Sequence, residues 1–182
     1  MRLSRPLGHL FTVAMRYRYK RQDANVKENG DYTLYPSHRH QYQVDLRCDF
    51  TDWHYALRAA WVDYRLDTEH SNGFLVHGDV RWLPETLPIA VSARLSAFNV
   101  SDYDARIYAV ENGLALDNNG TFFNHRGIRC YAVIHYDCNR WLAFAFKYSL
   151  TRYLDDSLFG TGYDALETNH RQQWHLQMRL KL

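Results

Sequence analysis

Hydrophobic and polar residues alternate along this chain with a period of two. Residues 9–20 set Phe11, Val13, Met15, Tyr17 and Tyr19 against Thr12, Ala14, Arg16, Arg18 and Lys20. The same split recurs over 39–51, 53–65, 73–83, 88–98, 127–137, 140–152 and 171–182. In the last of these, Trp174, Leu176, Met178, Leu180 and Leu182 form one file, and Gln173, His175, Gln177, Arg179 and Lys181 the other. Alternation of this kind marks a strand whose two faces meet different surroundings. No helical period competes with it. The predicted strands run to about 10–13 residues, long beside the usual 5–6, and they match the roughly 9–11 that a tilted strand needs to cross a bilayer. The expected fold is therefore all-β: an antiparallel transmembrane β-barrel of about eight strands, or the C-terminal part of a larger barrel. Residues 1–182 read as a single domain.

Aromatic placement and connection length refine this expectation. Trp53, Tyr55, Trp82, Tyr136 and Trp174 fall near strand ends on the apolar file, where an interfacial girdle belongs. Tight turns are expected at Thr51–Asp52, Leu83 to Pro88 and Asp137 to Arg140, and longer connections at 21–37, 66–72 and 153–169. Short turns lie on the periplasmic side of outer-membrane barrels and long loops outside. A ninth crossing at RIYAVEN would spoil that alternation. Residues 99–126 are accordingly read as one long external loop, forming its own hairpin or folding over the mouth, with both chain ends on the periplasmic side.

Composition changes the picture little. Aromatic residues make up 15% of the chain while the formal net charge is only +2. That near-balance points to no acidic partner, and no nucleic acid is expected for this segment. No run of 18 apolar residues is present, so no transmembrane helix is expected. The start of the chain, with its apolar run broken at Arg16, does not read as a signal peptide. Cys48, Cys130 and Cys138 fit no metal or redox spacing and read as small apolar fillers.

A resemblance adds location. SARLSAFNVSDYDARIYAVEN, RGIRCYAVIHY, FGTGYDAL and the final basic strand, with NGFLVHGDVRWLP upstream, resemble the C-terminal β-barrel region of Bacteroidota outer-membrane proteins that carry helix-hairpin-helix repeats. The similarity covers residues 53–182. Its loop motif falls on Phe98, Tyr103, Asp104, Arg106, Ile107, Tyr108, Glu111 and Asn112. The resemblance implies a barrel in the cell outer membrane, with lipid and the barrel-insertion machinery as partners. The sequence departs from that pattern in lacking the helix-hairpin-helix portion and in closing on Leu182 rather than an aromatic residue. It reads as the C-terminal piece of a larger protein or as a divergent member.

The polar file carries the candidate chemistry. Its cations are Arg16, Arg18, Lys20, Arg47, Arg58, Arg81, Arg94, Arg129, Lys147, Arg179 and Lys181; its anions are Asp45, Asp49, Asp79 and Asp137. These cations form the expected lumen-facing basic cluster. An eight-stranded barrel has room inside only for side chains, and unpaired cations packed there would be costly to desolvate. The excess calls for water and anions in a pore, for an acidic plug or upstream segment in the lumen, or for a wider barrel; an Arg/Asp network that rigidifies the lumen is the simplest reading. In the loop, Asp102, Asp104, Arg106 and Glu111 read as Arg–carboxylate pairs that order it. Asp117-Asn118-Asn119-Gly120 begins like a calcium loop but lacks the later Glu, and reads as a turn.

His38 and His40 share one side of an extended stretch and suit a metal, but no third ligand is spaced to join them. Asp102, Asp104, His125, Asp155, Asp156 and His170 are the material for a hydrolase site at the outer rim, without a nucleophile motif. The expected function is a non-catalytic outer-membrane barrel of structural, transport or surface-assembly type, with a basic, anion-favouring lumen and no cofactor. The alternatives are an outer-membrane barrel hydrolase and a soluble calycin-like barrel binding an apolar small molecule.

Overall fold

A computed structural model of the protein describes residues 1–28, 31–67, 69–115, 120–155 and 168–180. Among the described residues the fold is all-β, with one short 3-10 turn at Tyr103–Ala105. The strands are β1 (Arg2–Leu7), β2 (Phe11–Glu28), β3 (Asp31–Asp49), β4 (Trp53–Leu66), β5 (Glu69–Trp82), β6 (Ile89–Val100), β7 (Ile107–Val110), β8 (Gly120–Phe123), β9 (His125–Asp137), β10 (Leu142–Tyr153) and β11 (His170–Leu180). Nine of them form one antiparallel sheet in the order β1-β2-β3-β4-β5-β6-β9-β10-β11. β7 and β8 form a separate two-stranded ribbon.

All eight strands predicted from alternation are present. The ninth, β1, pairs from Leu7↔Phe11 to Arg2↔Arg16 along the outer edge of β2. Its Pro6 suits an edge, where a missing N–H costs nothing. Among the described residues β1 does not pair with β11, so the sheet is open and is not closed into a barrel. With nine antiparallel strands in place of eight, β1 and β11 run in the same direction; Arg2 lies level with Arg16 within β2, and Leu180 lies opposite Leu142 at the start of β10. The expected long connections at 21–37 and 66–72 are also mostly strand. β2 and β3 stay paired from Phe11↔Cys48 to Glu28↔Asp31, and β4 runs into β5 across residues 67–68. The segment 156–167, most of the last long connection, falls outside the described residues.

Register fixes which residues share a face. One file of cross-strand neighbours runs Phe11, Cys48, Tyr55, Val80, Ala93, Ala132, Tyr148, Trp174 across eight strands. A file on the opposite face runs Ser4, Ala14, Asp45, Arg58, His77, Ser96, Arg129, Thr151, Arg171 across all nine. Antiparallel pairing keeps opposed residues on the same side, so the alternation of each strand becomes one apolar and one polar surface.

The apolar surface is bare. Leu95 is 61% exposed, Leu176 69% and Trp174 72%. Of the expected girdle, Trp53 and Trp82 pair at one end of β4–β5 with ring centroids 5.9 Å apart. Trp174 instead lies within β11. The core lies on the other side of the sheet. Val62, Leu75, Phe98 and Val100 pack against Ala105, Ile107, Ala109 and Phe123 of the segment between β6 and β9. A second cluster joins Leu114 to Tyr131, Val133 and Ala145. The stretch expected as an external loop is therefore a turn and ribbon laid on the polar face. Gly73 permits the closest approach: a Cβ there would stand 2.6 Å from the Ala105 carbonyl oxygen, far inside contact distance, so only glycine fits.

Candidate functional site

The polar face and the segment Asp104–Ala115 build one site. Side chains from five strands hold the segment's backbone and its one buried carboxylate. Arg39 of β3 donates to the carbonyls of Asp104 and Arg106. Arg94 of β6 donates to the Val110 carbonyl at 2.9 Å. The Tyr131 hydroxyl of β9 accepts from the Asn112 N–H at 2.9 Å, and Gln177 of β11 accepts from the Ala115 N–H at 3.0 Å. The holders run from β3 to β11, seven strands in the sheet order. At about 4.8 Å per strand a flat sheet would place them about 29 Å apart, within reach of a dozen extended residues at about 3.3 Å each. The segment thus crosses the polar face from one side to the other.

Glu111 is the centre of this contact. Its side chain is fully buried, and Arg129 grips it with two hydrogen bonds of 2.7 and 3.0 Å. Lys147 lies 3.1 Å from its second oxygen. Arg129 spends a further donor on Thr151 at 2.7 Å. Burial alone would raise the Glu111 carboxyl, but the hydrogen bonds and charge of Arg129, joined by Lys147, bring it below its ordinary value of 4.5. One carboxylate here serves two buried cations, and the paired fork geometry is the strong form of this contact.

The rest of the polar face is paired strand to strand. Arg94 makes a two-pronged contact with Asp79 at 2.6 and 3.1 Å, and Arg58 pairs with Asp45. His77 places Nδ1 3.0 Å from the other side of Asp79. Asp45↔Arg58 and Asp79↔Arg94 are directly opposite across neighbouring strands, whereas His77 and Asp79 stand two residues apart on one face of β5.

Of the basic cluster expected from sequence, Arg94, Arg129 and Lys147 are buried and paired, and Arg58 is half-buried. Arg16, Arg18, Arg47, Arg81 and Arg179 are exposed, as is Lys20; they stand on the parts of the polar face that the inner segment leaves open. Lys181 lies outside the described residues. In the loop motif, Asp104 is 3.9 Å from Arg106, and Arg106 donates to the Tyr108 hydroxyl at 2.6 Å and lies over the Tyr103 ring. Glu111 makes none of the loop's internal pairs and reaches the sheet instead, with Asn112 beside it. Sequence reasoning missed Arg39, Tyr131 and Gln177 as holders of the segment. Their positions on the polar file were visible, but nothing local says what they meet.

The two histidines offered for a metal are occupied otherwise. His38 Nδ1 lies 2.7 Å from the Tyr19 hydroxyl and His40 Nδ1 2.9 Å from that of Tyr17. Among the described residues no three His, Cys, Asp or Glu side chains are grouped to hold a metal ion. Of the rim residues, Asp102 caps the 3-10 turn through Tyr103 N–H, Asp155 accepts from the Arg126 N–H at 3.0 Å, and His170 stands beside Thr168 and Asn169. His125 stacks edge-on to Tyr153 with positive φ. Asp156 and the Asp117–Asn119 turn lie outside the described residues. No protein-family model matches the sequence, nor does any curated protein or solved structure.

Proposed function

We propose that this chain is a non-catalytic wall of an outer-membrane β-barrel, its apolar face turned to lipid and its polar face turned inward and plugged by its own segment at 104–115. One observation carries the reading. The apolar face is broad, continuous and bare, while the charged face is the one that is covered and paired. Exposed apolar patches beyond a few hundred Å² mark contact with a partner or a membrane. Strands of 11 to 19 residues in β2–β6 and β9–β11 are long enough to cross. A soluble barrel around an apolar ligand needs the opposite arrangement of the two faces.

The open edges of β1 and β11 bear on how the wall is completed. In a bilayer their free N–H and C=O groups must find partners. On this reading the nine strands are a sector of a larger ring, and further strands supply those partners. The Glu111 contacts favour a structural over a conducting role, because the segment crosses the face that a pore would need open.

Fractionation tests the proposal. The protein is expected in the outer-membrane fraction, released only by detergent, with a gel mobility that changes on heating. A monodisperse protein in detergent-free buffer would overturn it.

A further inference from the structure

We propose that a cavity beside the inner segment binds a small hydrogen-bearing oxyanion of the phosphate class, held by Arg47, Arg81 and His77. The cavity has a volume of about 300 Å³ and lies on the polar face over β3, β4 and β5, with Asn112 at its rim. The register shows why it exists. Arg47, Ala56 and Asp79 are successive neighbours in one cross-strand file. Asp49, His54 and Arg81 form the next file toward the strand ends, and Asp45, Arg58 and His77 the file on the other side. Ala56 is the small residue at the middle of this grid, so the floor is low there and long side chains surround it.

The charges do not cancel. Three carboxylates line the cavity: Asp45 pairs with Arg58 and Asp79 with Arg94, while Asp49 lies 2.8 Å from His54. Arg47 and Arg81 remain, and among the described residues neither makes an ion pair. Four arginines face three carboxylates in this lining, an excess of one positive charge with the histidines neutral, and the forked donors of Arg47 and Arg81 suit the oxygens of an anion.

His77 is the independent observation. It is 3% exposed and lines the cavity, and neither ring nitrogen makes a hydrogen bond, although Nδ1 lies 3.0 Å from an Asp79 carboxylate oxygen. A buried polar nitrogen left unsatisfied is costly and rare. The negative charge of the Asp79 carboxylate, 3.0 Å from Nδ1, favours the proton on that nitrogen through proximity, without a hydrogen bond. Nε2 is then an acceptor, and it requires a ligand with a hydrogen to give. Inorganic phosphate near neutral pH carries such a hydrogen on one oxygen and negative charge on the others. Sulfate carries the charge and no hydrogen. The site faces away from the apolar surface, so its ligand is an anion free in water and not a lipid headgroup. The inference does not depend on the membrane reading and stands or falls separately from it.

The test is calorimetric titration of the full chain, in detergent micelles or in plain buffer as its solubility dictates, with inorganic phosphate at low salt. Saturable one-to-one binding is expected, at least fivefold tighter for phosphate than for sulfate. The R47Q/R81Q double variant should lose about tenfold or more in affinity, as two charge-assisted contacts are removed. Both residues are exposed and, among the described residues, make no ion pair, so this variant keeps its fold, checked by circular dichroism. Arg18→Gln, outside the cavity, should bind as the parent does. No saturation by about 10 mM phosphate, an affinity too weak for a built site, would overturn the proposal. So would full affinity in the double variant. Equal affinity for sulfate would overturn the assignment to a hydrogen-bearing anion through His77.

Discussion

Arg94, Leu95 and Ser96 are consecutive in the middle of β6, yet they belong to different environments. Arg94 and Ser96 are 9% and 1% exposed, while Leu95 between them is 61% exposed. In a sheet packed for water the order would be reversed, with leucine inside and arginine out. The same inversion holds at Arg129 and Ile128, and at Lys147 and Phe146. The two faces therefore hold their residues by different means. The polar face is stabilised by named partners at short distance, so its energy is concentrated in a few contacts. Among the described residues the apolar face is covered by no other element and holds only contacts between neighbouring side chains such as Trp53 and Trp82, so its stability depends on what the surroundings are.

Glu111 is the point at which the polar face is most vulnerable. Glu111→Gln leaves Arg129 and Lys147 buried beside a neutral side chain. Loss of one partner of a buried pair costs about 3–5 kcal/mol, and denaturant unfolding should report a loss of that size. Arg16→Gln, an exposed position, should stay within about 0.5 kcal/mol by the same measurement. A small effect at Glu111 would mean that the segment is not held by its charge.

Leu95→Arg probes the other face. If that face meets lipid, the substitution should cost about 2–4 kcal/mol for folding into bilayers. If the face meets water, it should lie within about 0.5 kcal/mol. Refolding into lipid vesicles, followed by tryptophan fluorescence, separates the two.

Acid sharpens the comparison with a smaller effect. The folded Glu111 carboxyl titrates below its ordinary value of 4.5. Its contribution is then fully present above pH 4.5, and it is lost as pH falls through the lower folded value. The protection of the Ile107–Val110 amides from hydrogen exchange, taken relative to the intrinsic rate at each pH, should fall in that acid range in the parent chain and stay unchanged across it in the Glu111→Gln variant.

Period-two alternation made eight strands and the membership of both faces legible, because each strand repeats the pattern over ten residues or more. β1 was missed because Arg5 falls on the apolar file and Pro6 interrupts the run. The outer parts of β2 and β3 were read as a connection because Gln22, Asp23, Asn25 and Lys27 offer no buried side to count. Their pairing is carried by the backbone ladder, joined by the Ser37 hydroxyl donating to the Gln22 carbonyl at 2.6 Å. The loop motif was legible as a set of charges, but its purpose was not. Arg106 keeps to the local pairing that sequence suggests, while Glu111 reaches 18 residues to Arg129 and 36 to Lys147. Only the fold of the sheet brings those cations beneath it. The small side chain of Ala56 and the unsatisfied nitrogen of His77 leave no trace in the alternation, since both fit the polar file.

The number of strands has a consequence for any closed ring. With nine alternating directions, β1 and β11 run the same way. Joined to each other, they would form a parallel seam in an otherwise antiparallel cylinder. A seam-free cylinder, in which every strand opposes both neighbours, must instead contain an odd number of additional strands between those two edges.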